Sequence, residues 1–390
     1  MTLNRILPIF TIGIAALNHG LADSQSALVD QALKASGKNR AQIAEALEKA
    51  PDEQKSALQF LIAYMPKHDL EALSAKFLLN NVDLAFKARA SMPWGNDIPD
   101  ARFLNDVLPY ASINERRDDW RADFYERLAP IVKDCKTPGE AAQVLNRDLY
   151  KLIGVQYHAS KRAKPDQSPY ESIEAKYASC SGLSVLLIDA CRAVCVPARF
   201  AGTARWAKKR GNHSWVEVWD SGKWHFTGAC EYNKAGLNKV WFLNDASHAK
   251  KDERRHAIYA TSWQHTGESF PMVWAQDLDY VQAINVTDIY TGRAAQLLSA
   301  GECLLGIQVW DCPGGERVVS DVRVRAGEEK IHEGKTTGTS DDTNHVFEVV
   351  LKQNKAYSID YVDTAGEQHS KPVTTANDAH QRLDLFLSEK

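Results

Sequence analysis

Residues 179–203 read SCSGLSVLLIDACRAVCVPARFAGT. Cys180, framed by two serines, is followed at once by Leu183, Val185, Leu186, Leu187, Ile188 and Ala190, a run too continuous in apolar surface for a helix lying on the outside of a domain. The spacing predicts a buried central helix, with Pro197 turning the chain into a short strand. Ser179 or Ser181 can cap the helix, and the uncompensated amides of its first turn favour an anion such as a thiolate. Cys180 is therefore the first candidate nucleophile, on a rigid mount.

Downstream, residues 212–231 read NHSWVEVWDSGKWHFTGACE. With a period of two, His213, Trp215, Glu217 and Trp219 share one face of a strand, and Ser214, Val216 and Val218 share the other. Asp220, Ser221 and Gly222 form a turn, and Lys223 to Thr227 returns as a second strand. Such a hairpin can bring an imidazole to a thiol, which it deprotonates before protonating a leaving amine. Trp215, Trp219 and Trp224 read as core and cleft wall, and Cys230 as core.

Upstream, Thr137 to Leu152 predicts a helix, with Thr137 as N-cap, Pro138 in the first turn and Glu140 three residues on. Between it and Cys180, residues 154–177 are polar and aperiodic, so Gln156, Tyr157, Gln167 and Ser168 are candidates to touch substrate, unless the stretch is only a surface connection. Residues 80–130 carry many large rings, which suits a packed helical subdomain, with Trp94 as a candidate cleft wall. Residues 26–79 read as helices at Ala41–Ala50, Gln54–Met65 and Asp69–Leu79, a layer covering the core.

From Asn233 to Ala246 a turn and then a strand or short helix of the same domain are expected, and a solvated charged turn at Lys250–Arg255. Extended segments follow at His256–Trp263 and Phe270–Trp274, with Trp263 and His265 as candidates to line the cleft. From Val281 on, short alternating runs at Gln282–Asp288, Leu304–Trp310, Glu316–Val324, His345–Leu351 and Ala356–Val362 predict a small antiparallel sandwich of immunoglobulin-like type.

The chain has 390 residues, 44% hydrophobic and 25% charged, enough for two or three domains of ordinary composition. A net charge of −3 gives no general attraction for nucleic acid or an anionic membrane. Met1–Arg5 is basic, Ile6–Leu17 mostly apolar, and Gly20, Leu21 and Ala22 are followed by polar Asp23, the pattern of a signal peptide cleaved after Ala22. The expected location is outside the cytoplasm, periplasmic or extracellular, with no integral membrane association after cleavage. Seven cysteines, an odd number, fit such a compartment with one thiol free. Cys303 and Cys312 could bridge across a hairpin, and Cys191 and Cys195 could share a helix face or be ordinary buried thiols. Neither zinc-ligand spacing nor a glycine-rich phosphate loop is present, so no metal or cofactor is expected.

Together, Cys180 in its helix, the PAR turn at 197–199, NHSWVEVW and the KWHFTGACE return strand resemble the transglutaminase-like superfamily of papain-type Cys-His enzymes, over roughly Ala141–Trp241. The resemblance implies an α+β fold with the nucleophile helix packed on an antiparallel sheet, followed by His and Asp from consecutive strands. Here the usual aspartate falls on Gly228, which has no side chain to orient an imidazole. Glu231 reaching back is the favoured substitute, ahead of Asn233 and Glu217; a backbone group, a water or no third member are the other options. The C-terminal GGERVVSDVRVRAGEE and YSIDYVDTAGEQ segments resemble carboxypeptidase regulatory-like modules.

The expected organisation is a signal peptide at 1–22, a helical region at 23–130, a transglutaminase-like catalytic domain at 131–280 and an immunoglobulin-like sandwich at 281–390. The resemblance implies a thiol-dependent hydrolase of peptide, protein or glycopeptide amides, with Cys180, His213 and Glu231 as catalytic residues. The alternatives are a protein-glutamine transglutaminase or deamidase, and a cell-surface binding module on a degenerate catalytic fold.

Overall fold

The computed structural model describes residues 25–292, 298–363 and 365–388, so the expected signal peptide lies outside the described residues. After a helix at 25–35, helices α1 (Arg40–Lys49), α2 (Asp52–Ala63) and α3 (Ala75–Ser91) form the N-terminal layer. The third begins later than the sequence suggests and runs past Leu79. Ser74 sets its start by accepting the Phe77 amide, and only a short turn, Lys67–Leu70, precedes it. Then come α4 (Arg121–Val132), α5 (Pro138–Ile153) and α6 (Cys180–Ala193). Thr137 caps α5 by accepting the Glu140 amide at 3.2 Å, while the Glu140 carboxylate accepts from the Lys136 amide.

In α6 every residue from Ser181 to Ala193 is buried. Each fully buried Leu, Ile or Val contributes about 1.5–3 kcal/mol, so this helix anchors the fold. It packs against α4, α5 and a five-stranded antiparallel sheet made of β1 (Ala198–Thr203), β2 (His213–Asp220), β3 (Lys223–Thr227), β4 (Ile258–Thr261) and β5 (Ala283–Asn285), in the order β3-β2-β1-β4-β5. The run at 282–288, read from sequence as opening the sandwich, is instead the edge strand β5 of this sheet, pairing Thr261 with Ala283. Trp94 is core rather than cleft wall. It is 2% exposed and donates its indole N–H to the Cys195 carbonyl. Trp263 likewise donates to the Leu61 carbonyl, and His265 packs on Tyr64, so both belong to the contact with the N-terminal helices.

The C-terminal part is two sheets around one apolar core. One has the order β8-β7-β10-β11, from β7 (Asp321–Ala326), β8 (Glu329–Lys335), β10 (Ala356–Val362) and β11 (Gln368–Thr374). The other is β9-β6-β12, from β6 (Glu302–Trp310), β9 (Phe347–Lys352) and β12 (His380–Phe386). Alternate residues such as Leu305, Ile307 and Val309 face Val322, Val324, Ile359 and Leu385. The sandwich is not wholly antiparallel, because β12 pairs in parallel with β6, a pairing that needs the long connection between them. Cys303 lies near the start of β6 and Cys312 in the turn after its far end, so the length of the strand separates them, and all seven cysteines are free. A strand advances about 3.3 Å per residue, far too much over this separation for a bridge.

Candidate active site

Cys180 is the first residue of α6. The Ser179 N-cap makes no side-chain cap bond, its hydroxyl reaching towards the Pro165 carbonyl at 3.5 Å, and Ser181 instead meets the Ser214 hydroxyl at 3.2 Å. The serine cap expected from the sequence is thus absent, and the Ser181–Ser214 contact ties the helix start to β2. On another side, Gly182 lets the start of the helix lie close to the segment before it. A Cβ there would lie 3.1 Å from the Ala178 Cβ.

Register places His213 at the start of β2, opposite Thr203. Its ring is 1% exposed and sits among Trp206, Trp215, Trp241 and Phe242, with the last two 4.9 Å away between centroids. The thiol of Cys180, a ring nitrogen of His213 and a carboxylate oxygen of Asp342 lie within 4.8 Å of one another. Nδ1 of His213 is 3.3 Å from Asp342, and Nε2 is 4.0 Å from Glu231. These are ion-pair distances, and neither nitrogen makes an aligned hydrogen bond. A Cys-His-Asp set is also a donor set that a transition metal accepts.

Burial works against a charge on His213, but Asp342 first and Cys180 second outweigh it and hold the imidazole well above its ordinary pKa. Asp342 is also buried, which opposes its charge, yet His213 and Asn344 bring its pKa down to about 2. Glu231 behaves differently. Burial pushes it up to about 7 against the pull of His213, and it accepts a hydrogen bond from the Trp241 indole at 2.8 Å. A Cβ on Gly228 would stand 1.8 Å from the Glu231 carboxylate, so Glu231 fills the space that a side chain at 228 would take. Asn146 fixes this turn, donating to the Gly228 carbonyl and accepting the Cys230 amide.

Asn233 and Glu217 are committed elsewhere. Asn233 is exposed and serves its own turn through Lys239 and Ala235. Glu217 is fully buried, paired with Arg199 at 2.7 Å and accepting from the Tyr290 hydroxyl. Of the upstream candidates, Gln167 donates to the Glu171 and Tyr177 carbonyls and Ser168 completes a capping box, both local structural roles. Gln156 is exposed, with its amide bonded to the Lys176 carbonyl. Tyr157 reaches the site's edge, its hydroxyl accepting the Thr343 amide at 3.2 Å. Cys230 is exposed at a positive φ of 64°, not core.

Asp342 was not singled out by the sequence. It lies in the loop between β8 and β9 of the sandwich, in the polar stretch GTSDDTNH, where no spacing links it to His213. Folding of a separate unit brings it in.

Residues 126–228 match the family model described as Transglutaminase-like superfamily. Among solved structures, the chain is similar to a Cytophaga hutchinsonii protein described as a candidate cysteine protease, at 19% identity over 30% of this chain and 40% of that one, with a TM-score of 0.25. It is also similar to red sea bream transglutaminase, at 9% identity over 73% of this chain and 66% of that one, with a TM-score of 0.32. The chain thus spans less than half the length of the first of these and just under two thirds of the second. No curated protein matches it significantly. What the comparisons reach is the segment from within α4 to just past β3: residues 126–228 are similar to the core described by the transglutaminase-like superfamily model.

Proposed function

We propose that the protein is a thiol-dependent hydrolase of amide bonds in peptide or glycopeptide substrates, working outside the cytoplasm. The observation that carries this reading is the meeting of a cysteine at the start of a buried helix with a buried imidazole held in favour of its charged form. Cys180 and His213 are its reacting pair, with Glu231 on the Nε2 side. Among the described residues no helix is long and apolar enough to cross a membrane.

The chemistry runs in two halves. His213 takes the thiol proton, and the Cys180 sulfur attacks the amide carbon. The oxyanion is held by backbone N–H groups at the start of α6. Collapse breaks the C–N bond, His213 gives its proton to the leaving amine, and a thioester remains. Water then attacks the thioester with His213 as base, the carboxylic acid leaves, and the thiol takes its proton back. An amine in place of water would make the same site a transglutaminase. Water is the ever-present acceptor, so hydrolysis is preferred.

The test is intact-mass labelling with iodoacetamide across pH, with a screen for hydrolysis of a fluorogenic peptide library. Wild type is expected to label at Cys180 near pH 6 and the His213→Ala variant not. Cys180→Ala and His213→Ala should each lower turnover by roughly 10³-fold or more. Activity should resist EDTA, which separates thiol chemistry from a metal held by the same donors. Turnover that survives Cys180→Ala would falsify the assignment, and ligand binding without turnover would favour a binding module.

A further inference from the structure

The carboxylate nearest the imidazole does not come from the segment that matches the family model. The loop between β8 and β9 carries Asp342 across to His213, where its side chain is 2% exposed and Oδ2 stands 3.3 Å from Nδ1. Its other oxygen, Oδ1, accepts from the Asn344 amide at 2.8 Å and from the Asn344 side chain at 3.0 Å, which leaves Oδ2 for the ring. Arg317 clamps the loop from within the sandwich, donating to the carbonyls of Asp341, Asp342 and His345.

The loop is also bound on the core side. Asn344 donates to the Asn212 carbonyl, next to His213, at 3.0 Å, and Lys209 donates to the Asn344 carbonyl at 3.2 Å. Thr343 donates its amide to Tyr157, and His345 stacks on Trp241 at 4.9 Å, the same indole that packs against His213. A loop held by both units, with one buried carboxylate aimed at one buried imidazole, is built like a joint in an active site.

We propose that Asp342 is a positioning residue for His213, and that the C-terminal sandwich is part of the active site because it delivers this carboxylate. The inference deepens the proposed function and takes its meaning from it. Asp342 anchors the ring from the Nδ1 side, opposite the Nε2 side where Glu231 fills the place of a side chain at 228. Glu231, farther away and partly exposed, adds less.

The charged and titratable groups around the ring are Cys180 from α6, Glu231 from the turn after β3, Asp341, Asp342 and His345 from the docked loop, Tyr157 from the segment before α6, and Lys209 before β2. Histidine side-chain NMR of the full chain, with the His213 signal assigned by its loss in His213→Ala, reads the ring directly and needs no turnover. In Asp342→Asn the His213 midpoint should fall by about 1–3 pH units, with the thermal midpoint of the core retained. In Glu231→Gln it should move less. Asp342→Ala should repeat the fall if the asparagine variant folds poorly.

An unchanged His213 midpoint in both Asp342 variants overturns the proposal, as does a larger fall in Glu231→Gln. So does faster iodoacetamide labelling of Cys180 in Asp342→Asn at every pH, which would mark the carboxylate as an obstruction. Failure of the thiol reading shows elsewhere, as turnover that survives Cys180→Ala, while the NMR result stands on its own.

Discussion

The helix α6 and the loop around Asp342 both bring a group to His213, and they are held there by opposite means. Around α6 the contacts are apolar and continuous, with the buried Arg199–Glu217 pair beside them and Asp189 on α6 itself buried without a hydrogen bond. The loop instead stands on polar contacts to Asn212, Lys209, Tyr157 and Arg317 and on one stacked ring. Packing of the first kind fails only when the domain unfolds. A polar joint can fail alone, so the meeting of Cys180 with His213 should outlast that of His213 with the Asp342 carboxylate.

Four perturbations separate these two modes. The largest effect is expected from Glu217→Ala, which leaves Arg199 buried and unpaired and should cost about 3–5 kcal/mol. Urea unfolding followed by tryptophan fluorescence should show it as a loss of core stability, and a cost under 1 kcal/mol would contradict a paired, dry interior. Asn344→Ala comes next. It removes one side-chain hydrogen bond to the charged Asp342, worth about 1.5–3 kcal/mol, and one to the Asn212 carbonyl, yet this loss should appear as separation of the two units in small-angle scattering, with core unfolding unmoved.

A smaller effect should follow from pH. Burial holds His345 down to about 4 and also lowers His380, which faces His248 at 3.3 Å across the contact between the units. Both are held neutral when docked, so their contribution is present above the free histidine pKa of about 6.5 and is lost as pH falls below it. Asp342, held near 2, keeps its contribution until the pH drops below the ordinary carboxylate range. His213 has the reverse sign, because its raised pKa stabilises below about 6.5 and fades as pH rises through the folded value. Going from pH 7 to 5 should lower the sandwich's thermal midpoint by roughly 2–4 °C, while the core's holds or rises, because His213 and Glu231 favour the lower pH. Equal shifts in both would argue against a separate joint. Last, Thr137→Ala removes the cap of α5, at about 1 kcal/mol, and calorimetry should place that loss in the core alone.

What the sequence disclosed divides along the same line. The central helix was legible because thirteen successive buried residues leave an unbroken apolar trace, and the hairpin because strand alternation puts His213 at a strand's first position. Local patterns encode local structure. Trp94 was ambiguous because a large ring looks the same in a core as on a cleft wall, until its indole finds the Cys195 carbonyl. The proposed cystine between Cys303 and Cys312 needed a turn where the chain continues straight. Glu231 was reached through the empty side chain at 228, and it does occupy that space. Asp342 left no trace, because its meeting with His213 depends on how two separately folded units sit together, which no periodicity records.

The parallel pairing of β12 with β6 has a consequence for the order of events during synthesis. The strand that closes this sheet, His380–Phe386, is made after everything else that touches the site. A ribosome will already have produced the thiol, the imidazole and the loop bearing Asp342 while the sheet behind that loop still lacks its final member. The chain would therefore pass through a stage in which Cys180 and His213 are already made while the support behind Asp342 is still incomplete.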